Sequence, residues 1–175
     1  MKKERQLCQM EITIRRATPD DAELIADLSR QTFYDTFAPQ NTAEDMALFL
    51  DTQFPRSALV AEAAAPNALF LLATADAEMV GYARLCETKT NPHGIEIARL
   101  YATTAAIGKG VGKALMQACI EIAHERTKTK IWLGVWEKNT RAINFYTAWG
   151  FEKVGEHDFR LGNDLQRDWI MQKNL

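Results

Sequence analysis

Residues 95–150 read IEIARLYATTAAIGKGVGKALMQACIEIAHERTKTKIWLGVWEKNTRAINFYTAWG, and this stretch decides the fold. Ile95 to Ala102 is an apolar, strand-like run. A glycine-rich turn follows, Gly108 to Gly112, and leads into a helix with Val111, Leu115, Cys119 and Ile122 at helical spacing. Lys130 to Val135 is a second strand. Two strands joined through a helix form a βαβ crossover. Asn139 then opens a further helix as its N-cap, with Ala142, Phe145 or Tyr146, and Trp149 as the inward stripe. Gly150 stops that helix as a C-terminal cap.

Upstream of this unit, Met10 to Arg16 alternates, with Ile12 and Ile14 on one face, and reads as a strand. Thr18-Pro19-Asp20-Asp21 is a helix start: a hydroxyl, a proline at the first helical position and carboxylates in the first turn. Ile25, Leu28 and Phe33 of that helix are expected inside. A short helix begins at Asn41-Thr42 and carries Met46 and Phe49, and Pro55 to Ala64 reads as a third. Ala68 to Thr74 and Met79 to Glu87 form a hairpin across Asp76-Ala77-Glu78. Thr88 to Gly94, with Asn91-Pro92, is expected to be a loop. Downstream, Phe151 to Phe159 and Asp168 to Gln172 read as closing strands linked by Leu161-Gly162-Asn163-Asp164. The expectation is a single α/β (α+β) domain over residues 1–175, with residues 1–9 as a flexible tail.

Composition narrows the function. The chain is 47% hydrophobic and 25% charged, with a net charge of −2, so no global basic field argues for nucleic acid or an anionic membrane. No stretch approaches the roughly 20 apolar residues of a membrane span, and the N-terminus lacks a signal-peptide core. A cytoplasmic location is the expectation. Cys8, Cys86 and Cys119 form no CxxC pair, which fits a reduced compartment, and Cys119 reads as core. His93, His124 and His157 have no partner at metal-ligand spacing, so no metal is expected.

The glycine turn carries the first chemical signal. Ile107, Gly108, Lys109, Gly110, Val111, Gly112 and Lys113 join a strand to a helix, where free N–H groups and the helix dipole suit a phosphate or pyrophosphate. The plain alternative is a flexible turn with solvated lysines. It is not a Walker loop, because Ile107 stands where the first glycine belongs and Ala114 follows Lys113. The dinucleotide fingerprint fails as well, because Lys113 occupies the third glycine's place.

In these residues the chain resembles the GCN5-related N-acetyltransferase (GNAT) family, over Glu96 to Trp149. The family's strand, Q/R-x-x-G-x-G/A loop and helix are matched at Gly110 and Gly112, with Ile107 in place of Gln or Arg. The second motif is matched at Asn139, Ala142, Phe145, Tyr146, Gly150 and Phe151. The resemblance implies a mixed, mostly antiparallel sheet with helices on both faces and splayed parallel strands. It also implies acetyl-CoA as co-substrate, its pyrophosphate on the glycine loop. Leu100, Tyr101 and Ala102 would then offer backbone donors to the pantetheine arm and the acetyl oxygen. Tyr146 would protonate the leaving thiolate, or be only a buried aromatic. Asn139 would bond the pantetheine, besides capping its helix. Glu96 matches the spacing of the catalytic glutamate of histone-acetylating relatives, and is otherwise a salt-bridging surface residue. As a base it would share a strand face with Ala98 and Leu100. No residue constellation suggests an acyl-enzyme, so direct transfer in a ternary complex is expected.

A narrower resemblance covers most of the chain beyond Glu11. SRQTFYDTFAPQNTAEDM, EIARLY, IGKGVGKALM and FEKVGEHDFRLGNDLQRDWIM are similar to Pai-type spermidine/spermine N-acetyltransferases. It implies a polyamine or other small amine as acceptor. A polycation needs carboxylates for its distal ammonium, and Asp35 beside Tyr34, Glu44, Asp45, and Asp158 or Asp164 are the candidates. A homodimer is a separate expectation. Two rival readings are acetylation of protein N-termini and a non-catalytic regulator on the same scaffold. The acidic balance and the absence of a dense Lys/Arg stripe speak against direct nucleic-acid binding.

Overall fold

The computed structural model describes residues 11–175. The expected flexible tail at 1–9, Cys8 and the strand start at Met10 lie outside the described residues. The strands are β1 (Ile12–Arg16), β2 (Leu69–Ala75), β3 (Glu78–Thr88), β4 (Asn91–Ala102), β5 (Lys130–Trp136), β6 (Glu152–Leu161) and β7 (Asp164–Asn174). The helices are α1 (Ala22–Phe37), α2 (Ala43–Thr52), α3 (Arg56–Ala64), α4 (Val111–Glu125) and α5 (Thr140–Ala148). The strands form one seven-stranded sheet in the order β1-β2-β3-β4-β5-β7-β6. Among the described residues only the β4–β5 pair is parallel, as expected for strands joined through α4.

Local chemistry explains most boundaries. The Thr42 hydroxyl accepts the Asp45 N–H and starts α2, and Asn139 accepts the Ala142 N–H and starts α5. Asp76 and Ala77, both with positive φ, make the two-residue turn between β2 and β3. After Thr18, residues Pro19–Asp21 form a 3-10 turn, and α1 begins only at Ala22. Of the expected inward stripe of α5, only Tyr146 is buried. Ala142, Phe145 and Trp149 pack half-buried against the core.

Several expectations need correction. The loop expected at Thr88–Gly94 is only a two-residue turn, and Thr88 pairs with Asn91 to begin β4. Pro92 is accommodated because it lies near the start of the strand, beside a register shift. The closing strands likewise run to a tight turn at Gly162-Asn163, and β7 inserts between β5 and β6. The largest correction concerns Glu96. Leu85 pairs with Ile97 but Arg84 pairs with Arg99, so Ala98 is an extra residue, a β-bulge. The bulge inverts the alternation of side chains. Ile95, Ile97, Leu100 and Ala102 meet the α4 core, so Glu96 does not share a face with Leu100. Glu96 shares the opposite face with Arg99 and Tyr101.

Each face of the sheet has its own packing. On one face Val111, Leu115, Met116 and Cys119 of α4 are fully buried against Ile131 and Leu133. On the other, α1, α2 and α3 bury Ile25, Phe33, Met46 and Leu59. Each such aliphatic or aromatic side chain contributes about 1.5–3 kcal/mol by leaving water. Glu62 ties α3 to the sheet, accepting from Arg84 and Arg99 on adjacent strands.

Candidate active site

The site is built where β4 and β5 part. They pair over Gly94–Glu96 with Lys130–Trp132, and the last pair is Glu96 with Trp132. The bulge at Ala98 follows and bends β4, which continues along β3. β5 instead continues along β7 to the Trp136–Asp168 pair. A wedge opens between the two strands. A cavity of about 710 Å³ runs through it, bordered by Gly108, Gly110 and Gly112 on the α4 face and by Phe33 and Asp168 on the other.

The ladder decides which backbone donors face the wedge. Thr103 donates to Val80, which makes the Thr103–Val80 pair hydrogen-bonded. Alternation in an antiparallel ladder then commits the Tyr101 N–H to Tyr82 and turns those of Leu100 and Ala102 toward the opening. The expectation that Tyr101 would donate there is corrected for this reason. Its ring stacks on Tyr82 at 5.9 Å, and burial pushes its hydroxyl above the usual phenol range.

The glycine loop has the form of an anion cradle. Gly108 and Gly110 have φ of +78° and +94°, a left-handed conformation that a side chain would strain, and Gly110 is the N-cap of α4. Lys109 donates to Ala106 and Ala114 to Gly110, so the N–H groups of Gly110, Val111, Gly112 and Lys113 take no backbone acceptor. A Cβ on Gly112 would lie 3.6 Å from the Phe145 ring, in ordinary van der Waals contact. Lys113 and Arg141 border the same cavity, whereas Ile107 is exposed at its edge. Asn139 borders it too, while its side chain caps α5. These features fit a pyrophosphate-bearing co-substrate, with the open β4 edge continuing from the cradle as a seat for an extended arm.

Tyr146 reaches the cavity from α5 and is 9% exposed. Burial, and secondarily the neighbouring Cys119, push its hydroxyl above the usual phenol range. Cys119 itself is fully buried, and burial pushes its thiol up to about 12. Cys119 is thus core, as its apolar surroundings suggested, and it is no thiolate nucleophile.

The other expected site residues separate. Glu96 is half-buried at the last β4–β5 pair and does not border the cavity. Burial raises its carboxyl, opposed by Arg84 and His157. Asp35 borders the cleft mouth beside the cavity and accepts from Gln31 at 2.8 Å and Thr104 at 3.4 Å. Tyr34 is 48% exposed and borders neither. Asp45 is spent on Thr42 and the Asn163 N–H, and Asp164 accepts from Gln166. Glu44 and Asp158 are exposed and away from the cavity.

Sequence reasoning missed Asp168. It is half-buried and borders the cavity from β7, opposite His157 on β6. A Cβ on Gly134 would lie 3.6 Å from the Asp168 Oδ2 and 3.4 Å from the His157 ring, so the missing side chain leaves the carboxylate open. Burial raises the Asp168 carboxyl above its ordinary range, with His157 opposing. The sequence carried no strong signal for it, because Asp168 follows Gln166 and Arg167 in a strand of mixed polarity, where a charge is ordinary.

A wedge between parallel strands, a glycine cradle on a helix start and a buried tyrosine define an acyl-transfer scaffold. Residues 26–151 match the Acetyltransferase (GNAT) family, and the chain belongs to it. It is an N-acetyltransferase that uses acetyl-CoA. A Lactobacillus delbrueckii subsp. lactis protein named an uncharacterized N-acetyltransferase is 39% identical over 161 residues, 89% of this chain and 92% of that protein. The spermidine N(1)-acetyltransferase of Thermoplasma acidophilum is 26% identical over 168 residues, 94% and 98% of the two chains. The crystal structure of the PaiA N-acetyltransferase from Thermoplasma acidophilum in complex with coenzyme A is 24% identical and has the same fold. Its TM-score is 0.77, over 95% of this chain and 100% of that one. No helix among the described residues is long and apolar enough to cross a membrane.

Proposed function

We propose that the protein acetylates a small primary amine by direct attack, with Asp168 taking the amine proton and Tyr146 protonating the leaving sulfur. The observation that carries this reading is a single cavity with the cradle and Tyr146 toward one face and Asp168 on the other. Acetyl-CoA supplies an activated thioester. The cradle N–H groups hold its pyrophosphate, and the Leu100 and Ala102 N–H groups donate to the acetyl oxygen. Such donors, aimed where charge develops, are each worth about 3 kcal/mol.

An alkylammonium titrates near 10.4, so at neutral pH on the order of one amine in a thousand is nucleophilic. Asp168 offers that proton a destination next to the wedge. Its carboxyl must be ionised to act, and its pKa is raised, so the rate should climb with pH through a limb above the ordinary carboxylate range. Asp168→Asn is expected to lower kcat/KM and remove that limb, while Glu96→Gln keeps it. Glu96 remains the second candidate. Loss of the limb in Glu96→Gln, with an unchanged profile in Asp168→Asn, would transfer the role to Glu96.

A second acceptor reading is a polyamine, supported by the name of the Thermoplasma relative. Its distal ammonium would need a carboxylate beyond Asp168, and Asp35 at the mouth is the candidate. Distal ion pairing predicts a KM for spermidine that rises steeply with salt. A KM for spermidine that does not move between low and physiological ionic strength counts against it.

A further inference from the structure

The wall of the cavity away from the glycine loop is aromatic. Phe33, Phe37, Phe49, Phe54, Phe159 and Trp136 border it, from α1, α2, the α2–α3 connection, β5 and β6. They form one packed surface. Phe33 stacks on Phe49 with ring centroids 4.5 Å apart, Phe159 meets Phe49 at 5.7 Å and Phe37 meets Trp136 at 6.1 Å. Five separate segments thus converge on one apolar compartment on the acceptor face.

The charges in that compartment do not suit a polycation. Among the described residues, Asp168 is the one carboxylate bordering the cavity. Gln166, buried beside it, is engaged with Asn41 at 2.6 Å and Asp164 at 3.0 Å. The other ionic group on this wall is Arg99, whose guanidinium is paired with Glu62 behind it and lies 4.8 Å from the centre of the Phe54 ring. A second ammonium carried inward, past Asp35 at the mouth, would meet the Arg99 guanidinium and the Phe54 ring that already faces it. It would find no carboxylate of its own.

We propose that the acceptor is a primary amine carried on an apolar, preferably aromatic, arm, the nitrogen at Asp168 and the arm among the phenylalanines. This rests on the amine-acetylating reading above. The neutral amine nitrogen forms the new bond to the acetyl carbon and gives its proton to Asp168. The carbon–sulfur bond breaks, Tyr146 protonates the sulfur, and the Asp168 proton returns to the Tyr146 phenolate through solvent. The apolar compartment selects by burial of the arm, and each buried methylene raises kcat/KM by roughly fourfold.

The test is a set of specificity constants measured by thiol release at saturating acetyl-CoA and fixed salt. The acceptors are ethylamine, hexylamine, 2-phenylethylamine, spermidine and a short serine-initial peptide. Hexylamine and 2-phenylethylamine should exceed ethylamine by roughly 100-fold or more, with spermidine near ethylamine. Phe159→Ala and Phe37→Ala should each shrink the 2-phenylethylamine to ethylamine ratio by about tenfold. A ratio within one protein cancels any general loss of folded enzyme. Preference for spermidine or the peptide, or equal constants for ethylamine and 2-phenylethylamine, overturns the apolar arm and leaves amine acetylation standing. No acetylation of any amine by a protein that binds acetyl-CoA overturns both.

Discussion

Tyr146→Phe should retain acetyl-CoA binding and lose 10²- to 10⁴-fold in turnover, the usual range for a general acid. The ring packs between Phe145 at 5.4 Å and Phe151 at 5.9 Å, and phenylalanine preserves both contacts. Only the hydroxyl is lost. Its raised pKa first looks unfavourable, since a weaker acid must protonate a thiolate whose ordinary conjugate acid is near 8.5. The same burial acts on the thiolate. Cys119, a neighbour of Tyr146, shows the direction, its thiol pushed up to about 12. A leaving sulfur shielded from water by bound substrate would be more basic for the same reason, which would bring the two proton affinities closer. The raised pKa also keeps the hydroxyl protonated throughout the neutral range. Turnover of Tyr146→Phe equal to wild type would leave Tyr146 as a core aromatic and end its catalytic role.

Gly112→Val should abolish acetyl-CoA binding, and Gly112→Ala should keep it. The alanine methyl lies in ordinary contact with Phe145 at 3.6 Å, whereas the bulk of valine should block the close backbone approach that the pyrophosphate needs. Wild-type protein should gain about 2.7 kcal/mol of stability at acetyl-CoA 100 times its Kd, because the ligand binds only the folded loop. Thermal shift with and without acetyl-CoA reads this directly. An undiminished shift in folded Gly112→Val would show that the pyrophosphate lies elsewhere. Gly110→Ala fails for another reason. Its Cβ has space, 3.6 Å from Ile12, but the left-handed backbone would cost about 1–3 kcal/mol in the loop.

The helices and the crossover were legible because their signals are local. Hydroxyl and amide caps at Thr42 and Asn139, the glycines of the loop and the spacing of Val111, Leu115 and Cys119 act within one or two turns. The loop expected at Thr88–Gly94 shows where local signals mislead. Asn91-Pro92 punctuates the chain, but pairing with Thr88 and with the following strand outweighs that preference.

The crossover, the glycine cradle on α4, the capped helix that carries Tyr146 and the family membership they point to are thus written in short stretches of residues. Which groups meet depends on how those stretches pack. Nothing in IEIARLYA marks Ala98 as a bulge, since alanine has neither the conformation nor the chemistry that announces one. Yet the bulge reverses the face of every later residue on β4 and opens the wedge. The insertion of β7 between β5 and β6 brings Asp168 beside Gly134, although 33 residues lie between them in the chain. The aromatic wall is assembled from five segments in the same way. Caps and periodicity are energies between near neighbours in sequence. Register, strand order and convergence are settled by contacts between distant ones, and these exist only once the sheet has formed.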